Sequence, residues 1–583
     1  MKKITFIIMT AVMLSVTFSC SEEFLEKVPL GATSETVFYN EEGIEALMIG
    51  TYGIISGGAT WEVGWGASIQ NWTYGSAASD DAYKGSEIGD QIPANEIERW
   101  SVDPINEYPG DKWKLCLGMG VNRANEVLLI IDLTEELTDT QRQLFQAEAR
   151  FLRGFFAFEA WLVFKNIPWI TEETEDPTLV PNTEDVIPYI IQDFEFAAQY
   201  LPSSQSQPGR PTKWAAKAMA AKAHMNVLNY SAAKPLLDEI INSGIFTLMP
   251  NFIDNFEIAN NNNDESIFEI QANVNDGADC SGNAEMGIGL NWPHGSDIGM
   301  CCGFHQPSQN LVNAFKVDAN GLPMFDTFND VDLANDQNIA SNETFVPFTD
   351  VVDPRLDWTV SRRGIPYRDW GINRGRDWIR RQDEGGPYLP CSKPFFYQSE
   401  RYTLSTTSGW MTGNNANNYR YLRLTHIKLW RAEVAASEGD LATALLHVND
   451  IRDRAGNEVV MGRVLIYELP PSVYPWGAPG DINLNLPAAN YDVQEYASFA
   501  DAAYALKAVQ WEMRLEFATE GHRFFDLRRW GIITETLNDF ATADLRIRNF
   551  MSGATFDERD KYQPIPQPQI DLQPDVLVQN PGY

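Results

Sequence analysis

GRPTKWAAKAMAAKAHMNVLNYSAAKPLLDEIINSG, Gly209 to Gly244, is the stretch that decides the fold. The breaker Pro208-Gly209-Arg210-Pro211 ends whatever precedes it, and Thr212 then stands where a helix N-cap belongs. Trp214, Ala218, Ala221, Met225 and Leu228 recur at helical spacing up to Tyr230. A second helix follows from Ser231 through Leu236, Leu237 and Ile240 to the stop at Gly244. Alanines stand where two helices must approach closely, and the pair has about the 34-residue length of a tetratricopeptide unit.

Upstream, Ile187, Ile190, Ile191, Phe194, Ala197, Ala198 and Leu201 mark one buried face of a helix over 184–201. The hairpin plan returns downstream, with a helix predicted from Tyr421 to Glu438, a turn at Gly439-Asp440 and a partner from Leu441 to Arg454, closed by Gly456. Further helices are predicted at Glu41–Ser56, Lys112–Ile131, Thr138–Phe164 and Ala502–Thr519. The expected fold class is mainly α, a tetratricopeptide-like helical repeat scaffold in which each unit buries its apolar face on its neighbours. Three stretches rich in Gly, Asn, Asp, Pro and Trp interrupt it: 57–109, 259–307 and 320–418. They are too aromatic for disorder and too long for plain connections, so they read as packed excursions, the place where binding residues tend to sit.

The N-terminus sets the expected compartment. Lys2 and Lys3 precede an apolar run from Ile4 to Phe18 that is too short to span a bilayer, which reads as a signal peptide over 1–19. Thr17-Phe18-Ser19-Cys20 is similar to a bacterial lipobox, making Cys20 the expected lipidation site, and Ser21-Glu22-Glu23 resembles an acidic surface-export tag. The mature chain, 20–583, would then be held to the outer membrane by lipid alone, facing the exterior.

Eighty acidic and 44 basic residues give −36, and removal of Lys2 and Lys3 takes this to −38. Nucleic acid is therefore not an expected partner, because duplex binding needs basic residues to neutralise phosphates. Besides Cys20 there are Cys116, Cys280, Cys301, Cys302 and Cys391, with no CxxC pair, so no zinc site is expected. One or two disulfides between Cys280 and Cys391, or buried free thiols, both fit the spacing.

Several strings then resemble the SusD/RagB family of nutrient-uptake lipoproteins over almost the whole chain. They are Phe24-Leu25-Glu26-Lys27-Val28-Pro29, Ala147 to Phe158 (AEARFLRGFFAF), Gly209 to His224, Asp353 to Gly371 (DPRLDWTVSRRGIPYRDWG), Glu516 to Gly531 (EFATEGHRFFDLRRWG) and the close at Gln579-Asn580-Pro581-Gly582-Tyr583. The resemblance implies one SusD-like body, with an N-terminal repeat region over about 20–250 and a C-terminal region over 251–583. It also implies a SusC-like TonB-dependent outer-membrane transporter as partner, and an oligosaccharide or polysaccharide as cargo, with a peptide or another nutrient as the alternative. No cofactor or metal is implied.

Sugar recognition needs flat aromatic faces beside fixed polar groups. Trp61, Trp65, Asn71, Trp72, Tyr74, Asp80, Asp81 and Tyr83 offer that mixture in the first excursion, and Trp292 offers it in the second, within Asn291-Trp292-Pro293-His294. The competing expectation is burial of these rings in the core. Trp358, Trp370 and Trp378 alternate with arginines, a pattern expected to be structural, through stacking and pairing with carboxylates. His522, Arg523, Asp526, Arg528 and Arg529 read as a buried ion-paired knot, not a catalytic group. A non-enzymatic binder is expected. A glycoside hydrolase needs only two well-placed carboxylates, which sequence spacing does not exclude.

Overall fold

The computed structural model describes residues 35–57, 63–277, 282–294, 298–345, 348–407, 413–464 and 482–583. Lipidation at Cys20, the proposed platform Trp61 and any pairing of Cys280 lie outside these residues.

The helices occur where the periodicity places them: α1 Glu41–Tyr52, α2 Asn122–Leu133, α3 Asp139–Phe164, α4 Ile187–Tyr200, α5 Lys213–Asn226 and α6 Tyr230–Asn242. After the long interruption come the short α7 Arg355–Thr359, then α8 Leu424–Glu438, α9 Leu441–Ala455, α10 Ala502–Glu516, α11 Arg523–Arg529 and α12 Ile533–Asp544. Each of α1 to α6 packs on the next, and α6 then packs on α8, so the repeat stack runs on across the interruption. The fold is the mainly α, tetratricopeptide-like one expected from the hairpins.

Capping explains several starts. Thr138 and Gln141 form a reciprocal capping box on α3, and Thr212, Asp440 and Asp501 accept backbone N–H groups at the heads of α5, α9 and α10. From Ala147 onward α3 is buried on every face, which makes it the central post of the body. Close helix approach depends on small residues: a Cβ on Gly154 would lie 2.9 Å from the Phe194 ring of α4.

Two expectations need correction. The expected helix start at Tyr421 is a strand, β4 Tyr419–Arg423, antiparallel to β2 Ser266–Ile270; pairing with an edge satisfies its backbone groups before α8 begins. The helix predicted over 112–131 is interrupted by a π-helical segment, Lys114–Val121, where Gly120 lies against the Phe156 ring. Two further antiparallel pairs occur among the described residues: β1 Ala82–Gly85 with β3 Phe304–Pro307, and β5 Met461–Val464 with β6 Ile482–Pro487.

The excursions are packed, as expected, and their anchors are charged. Asp353, Glu265, Glu512, Glu516 and Glu520 face an equal number of cations, Arg355, Lys393, Arg423, Arg452 and Arg454, in one buried network. The guanidinium of Arg355 is paired with Asp353 at 2.8 Å, Glu512 at 2.6 Å and Glu516 at 3.1 Å, all without exposure. The arginines Arg355, Arg423 and Arg454 together hold the Glu516 carboxyl down at about 2 against the burial that opposes its ionisation. Thus DPRL and EFATEG, distant in sequence, are two halves of one electrostatic lock.

The expected knot at the second string is present in part, since Arg528 donates to the Leu162 and Lys561 carbonyls and His522 lies against His426. Arg523 pairs with Asp80, and Arg529 with Asp526 and Glu433. Cys301 and Cys302 are joined to each other, whereas Cys116 and Cys391 are buried free thiols.

Candidate functional site

The structure takes the predicted platforms into the interior. Trp72 is 1 % exposed and Tyr83 and Trp292 are fully covered; Trp65 and Tyr74 are buried as well. Tyr83 donates its hydroxyl to Asp544 at 2.5 Å, with Arg548 over its ring, and Trp292 packs on Phe395 and Phe396 at 5.3 and 5.8 Å. The polar members are committed likewise. Asn71 bridges Lys112 and Glu159, and Asp80 and Asp81 are paired with Arg514. The structure thus places these eight residues in the body of the protein. Burying an indole or phenol removes far more apolar surface from water than an exposed platform would, so a Gly- and Ser-rich loop without regular periodicity still folds inward around its rings.

Trp72 does meet the second predicted stretch. With Gln70, Glu285, Ile288, Asn291, His305 and Tyr419 it lines an interior chamber of about 60 Å³. Trp72 Nε1, both side-chain polar atoms of Asn291 and His305 Nε2 have no hydrogen-bond partner among the described residues. Burial pushes the Glu285 carboxyl up to about 7, although it accepts the Gly287 N–H at 2.8 Å. Burial, helped by the Lys393 charge, pushes His305 down to about 3. The chamber has room for a handful of water-sized molecules.

A larger cleft of about 120 Å³ opens on the surface. It is lined by Asp357, Trp358, Pro366, Tyr367, Arg368, Ser392, Tyr397, Val460 and Met461. Local sequence explains why Trp358 stays outside. In α7, Arg355, Leu356, Asp357 and Thr359 are buried, and Trp358 takes the remaining outward direction. Its ring packs partly on Phe252 and Phe256 and partly on Ile365 and Val460, and its Nε1 donates to the Glu458 carbonyl at 3.2 Å. Tyr397 is half-buried and donates its hydroxyl to Glu257 at 3.0 Å.

Between the two rings lies Arg368, 5.9 Å from the Trp358 ring centre and 5.0 Å from that of Tyr397. It donates to the Ser392 and Lys393 carbonyls at 3.3 and 2.8 Å and to the Tyr397 hydroxyl at 3.3 Å. The guanidinium therefore fixes the angle between an indole and a phenol, each of which keeps part of its surface toward water. Chemically this is an apolar-faced and polar-edged groove.

Trp358 stands in the very string whose tryptophans and arginines were expected to be structural. That reading holds for Arg362, paired with Asp357 at 2.7 Å, and for Arg368, which lies over the Trp358 ring. Trp358 itself packs on two apolar clusters, and its four inward-facing neighbours on one short helical turn leave it the single outward position. Tyr397 carried no signal of its own.

The sequence pattern described as the SusD family matches residues 264–583, and that described as starch-binding associating with outer membrane matches 23–225. A SusD-like protein of Formosa agariphila is 24 % identical, over 97 % of each chain. Among solved structures, a SusD superfamily protein of Bacteroides vulgatus superposes with TM-score 0.67 at 18 % identity, covering 94 % of this chain and 100 % of that one. The surface glycan-binding protein A of Bacteroides thetaiotaomicron, solved in complex with laminarihexaose, superposes with TM-score 0.65 at 20 % identity, covering 93 % and 99 %. With a matching pattern over more than half its length, and a scaffold to agree, this chain belongs to the SusD family.

Proposed function

We propose that the protein is a cell-surface glycan-binding lipoprotein that captures oligosaccharide in the Trp358–Tyr397 cleft and delivers it to a TonB-dependent outer-membrane transporter. The observation that carries the proposal is the pairing of two half-buried aromatic faces around a fixed guanidinium, on a body of this family. Sugar C–H faces stack on such rings while hydroxyls meet the polar edge. Support for the ligand class comes from relatives on the same fold described as glycan-binding, one holding laminarihexaose.

Attachment through acylated Cys20 and an outward orientation complete the reading. Affinity electrophoresis or calorimetry against a broad saccharide panel tests it, with Trp358→Ala expected to lose binding while keeping the wild-type melting temperature within a few degrees. Reducing-sugar release from any bound polymer is expected to stay at background, as befits a carrier. Radiolabelled palmitate should enter the wild-type protein and not Cys20→Ala, and the transporter should co-purify with the acylated form.

A further inference from the structure

The charges around the cleft bear on which glycans it admits. Three carboxylates gather on one side. Glu257 accepts from Tyr397 and lies 3.9 Å from Arg368, and Glu458 is exposed beside the Trp358 indole; burial, then the charges of Asp254 and Glu257, raise Glu458 above its ordinary range against the pull of Arg368. Asp369, exposed, flanks the cleft next to Arg368 and caps the backbone N–H groups of Gln398 and Ser399.

Against them stands Arg368, whose side chain is 3 % exposed and whose terminal nitrogens already serve two carbonyls and a phenol. Arg463, on the strand that contributes Met461, donates to the Pro487 and Ala489 carbonyls and the Asn490 side chain. An incoming sulfate or uronate would thus meet the exposed Glu458 before the covered Arg368 guanidinium. A carboxylate a few ångströms from a like charge costs energy that salt only partly screens.

Resting on the glycan-binding reading above, we propose that the Trp358–Tyr397 cleft selects uncharged glycans and rejects sulfated and uronate-containing ones. Neutral hydroxyls are accepted because Glu257, Glu458 and Asp254 are hydrogen-bond acceptors for them. The same oxygens repel anions. Long-range attraction is not needed for a neutral chain, so its affinity should barely respond to salt.

The test is affinity electrophoresis of the wild-type protein on neutral polymers (starch, laminarin, mannan, arabinoxylan) and anionic ones (polygalacturonate, alginate, carrageenan), with Trp358→Ala and Glu458→Lys alongside. The expected result is retardation by at least one neutral polymer, lost in Trp358→Ala and changed less than about twofold by raising salt from 50 to 500 mM. No anionic polymer should retard the wild type, whereas Glu458→Lys should gain anionic binding. Retardation by an anionic polymer that Trp358→Ala abolishes would overturn the selectivity and leave the glycan-binding reading standing. Absence of retardation by every polymer, or retardation that Trp358→Ala retains, would overturn the cleft as a glycan site, and the selectivity with it.

Discussion

Trp358 and Trp72 are the same side chain in opposite surroundings, and substitution should separate them cleanly. Trp72→Ala empties a buried position beside Phe304 and His305, so it is expected to cost about 3–5 kcal/mol of stability in urea unfolding. Trp358→Ala, half-buried, should cost far less stability and most of the glycan affinity. Glu285 gives a second residue-level prediction. Its folded pKa of about 7 lies above its ordinary value, so the protonated form stabilises the fold fully at pH 4.5, and this contribution is lost as pH rises through 7. Glu285→Gln mimics the protonated acid. It should unfold at the same temperature as wild type at pH 4.5 and at a higher one at pH 8, with a gain of up to about 3 kcal/mol. Individual ligand platforms were the least legible feature of the sequence. A Trp among glycines and serines has no periodicity to reveal its direction, and tertiary packing alone turned Trp72 inward and left Trp358 at the surface.

At the scale of elements, legibility followed local physics. Caps, breakers and i, i+3, i+4 spacing located α1, α3, α4, α5, α6, α9 and α10 to within a few residues, because each signal acts within one turn. Strand β4 escaped notice because its partner β2 lies some 150 residues earlier, and nothing inside Tyr419–Arg423 announces that pairing. The charged lock between α7 and α10 was equally silent, although its two halves were conspicuous as strings. Arg355→Ala removes the cation shared by Asp353, Glu512 and Glu516 and leaves buried carboxylates uncompensated. A loss of about 3–5 kcal/mol is expected in equilibrium unfolding. Replacing Arg546, whose partner Asp332 is solvent-accessible, should change stability by under about 1 kcal/mol in the same experiment.

Over the whole molecule, the principal hydrophobic core runs from Ile44 to Leu577 and draws on both matched regions. Contacts that close it are long in sequence: Asp80 with Arg523, Glu98 with Arg548, Glu159 with Tyr421. We therefore expect one calorimetric transition for the intact body, and insoluble or unfolded product from residues 20–250 expressed alone. Two separate transitions would show that the regions are independent units. The single-body reading came from the order of family strings; the couplings that enforce it could not be read from any one of them.

Gly75 and Gly521 illustrate what such closure demands. A methyl group on Gly75 would strike the Gly521 carbonyl, and one on Gly521, held at φ +78°, would strike the Gln70 carbonyl. Two backbone segments made more than four hundred residues apart during synthesis thus dock bare peptide against bare peptide. The early segment has no finished seat until the late one has emerged, so folding of this polypeptide is a race between synthesis of its last fifth and the premature sticking of its aromatic first loop. A chaperone that shields 63–83 during refolding should raise the yield of folded protein more than any improvement to the helices themselves.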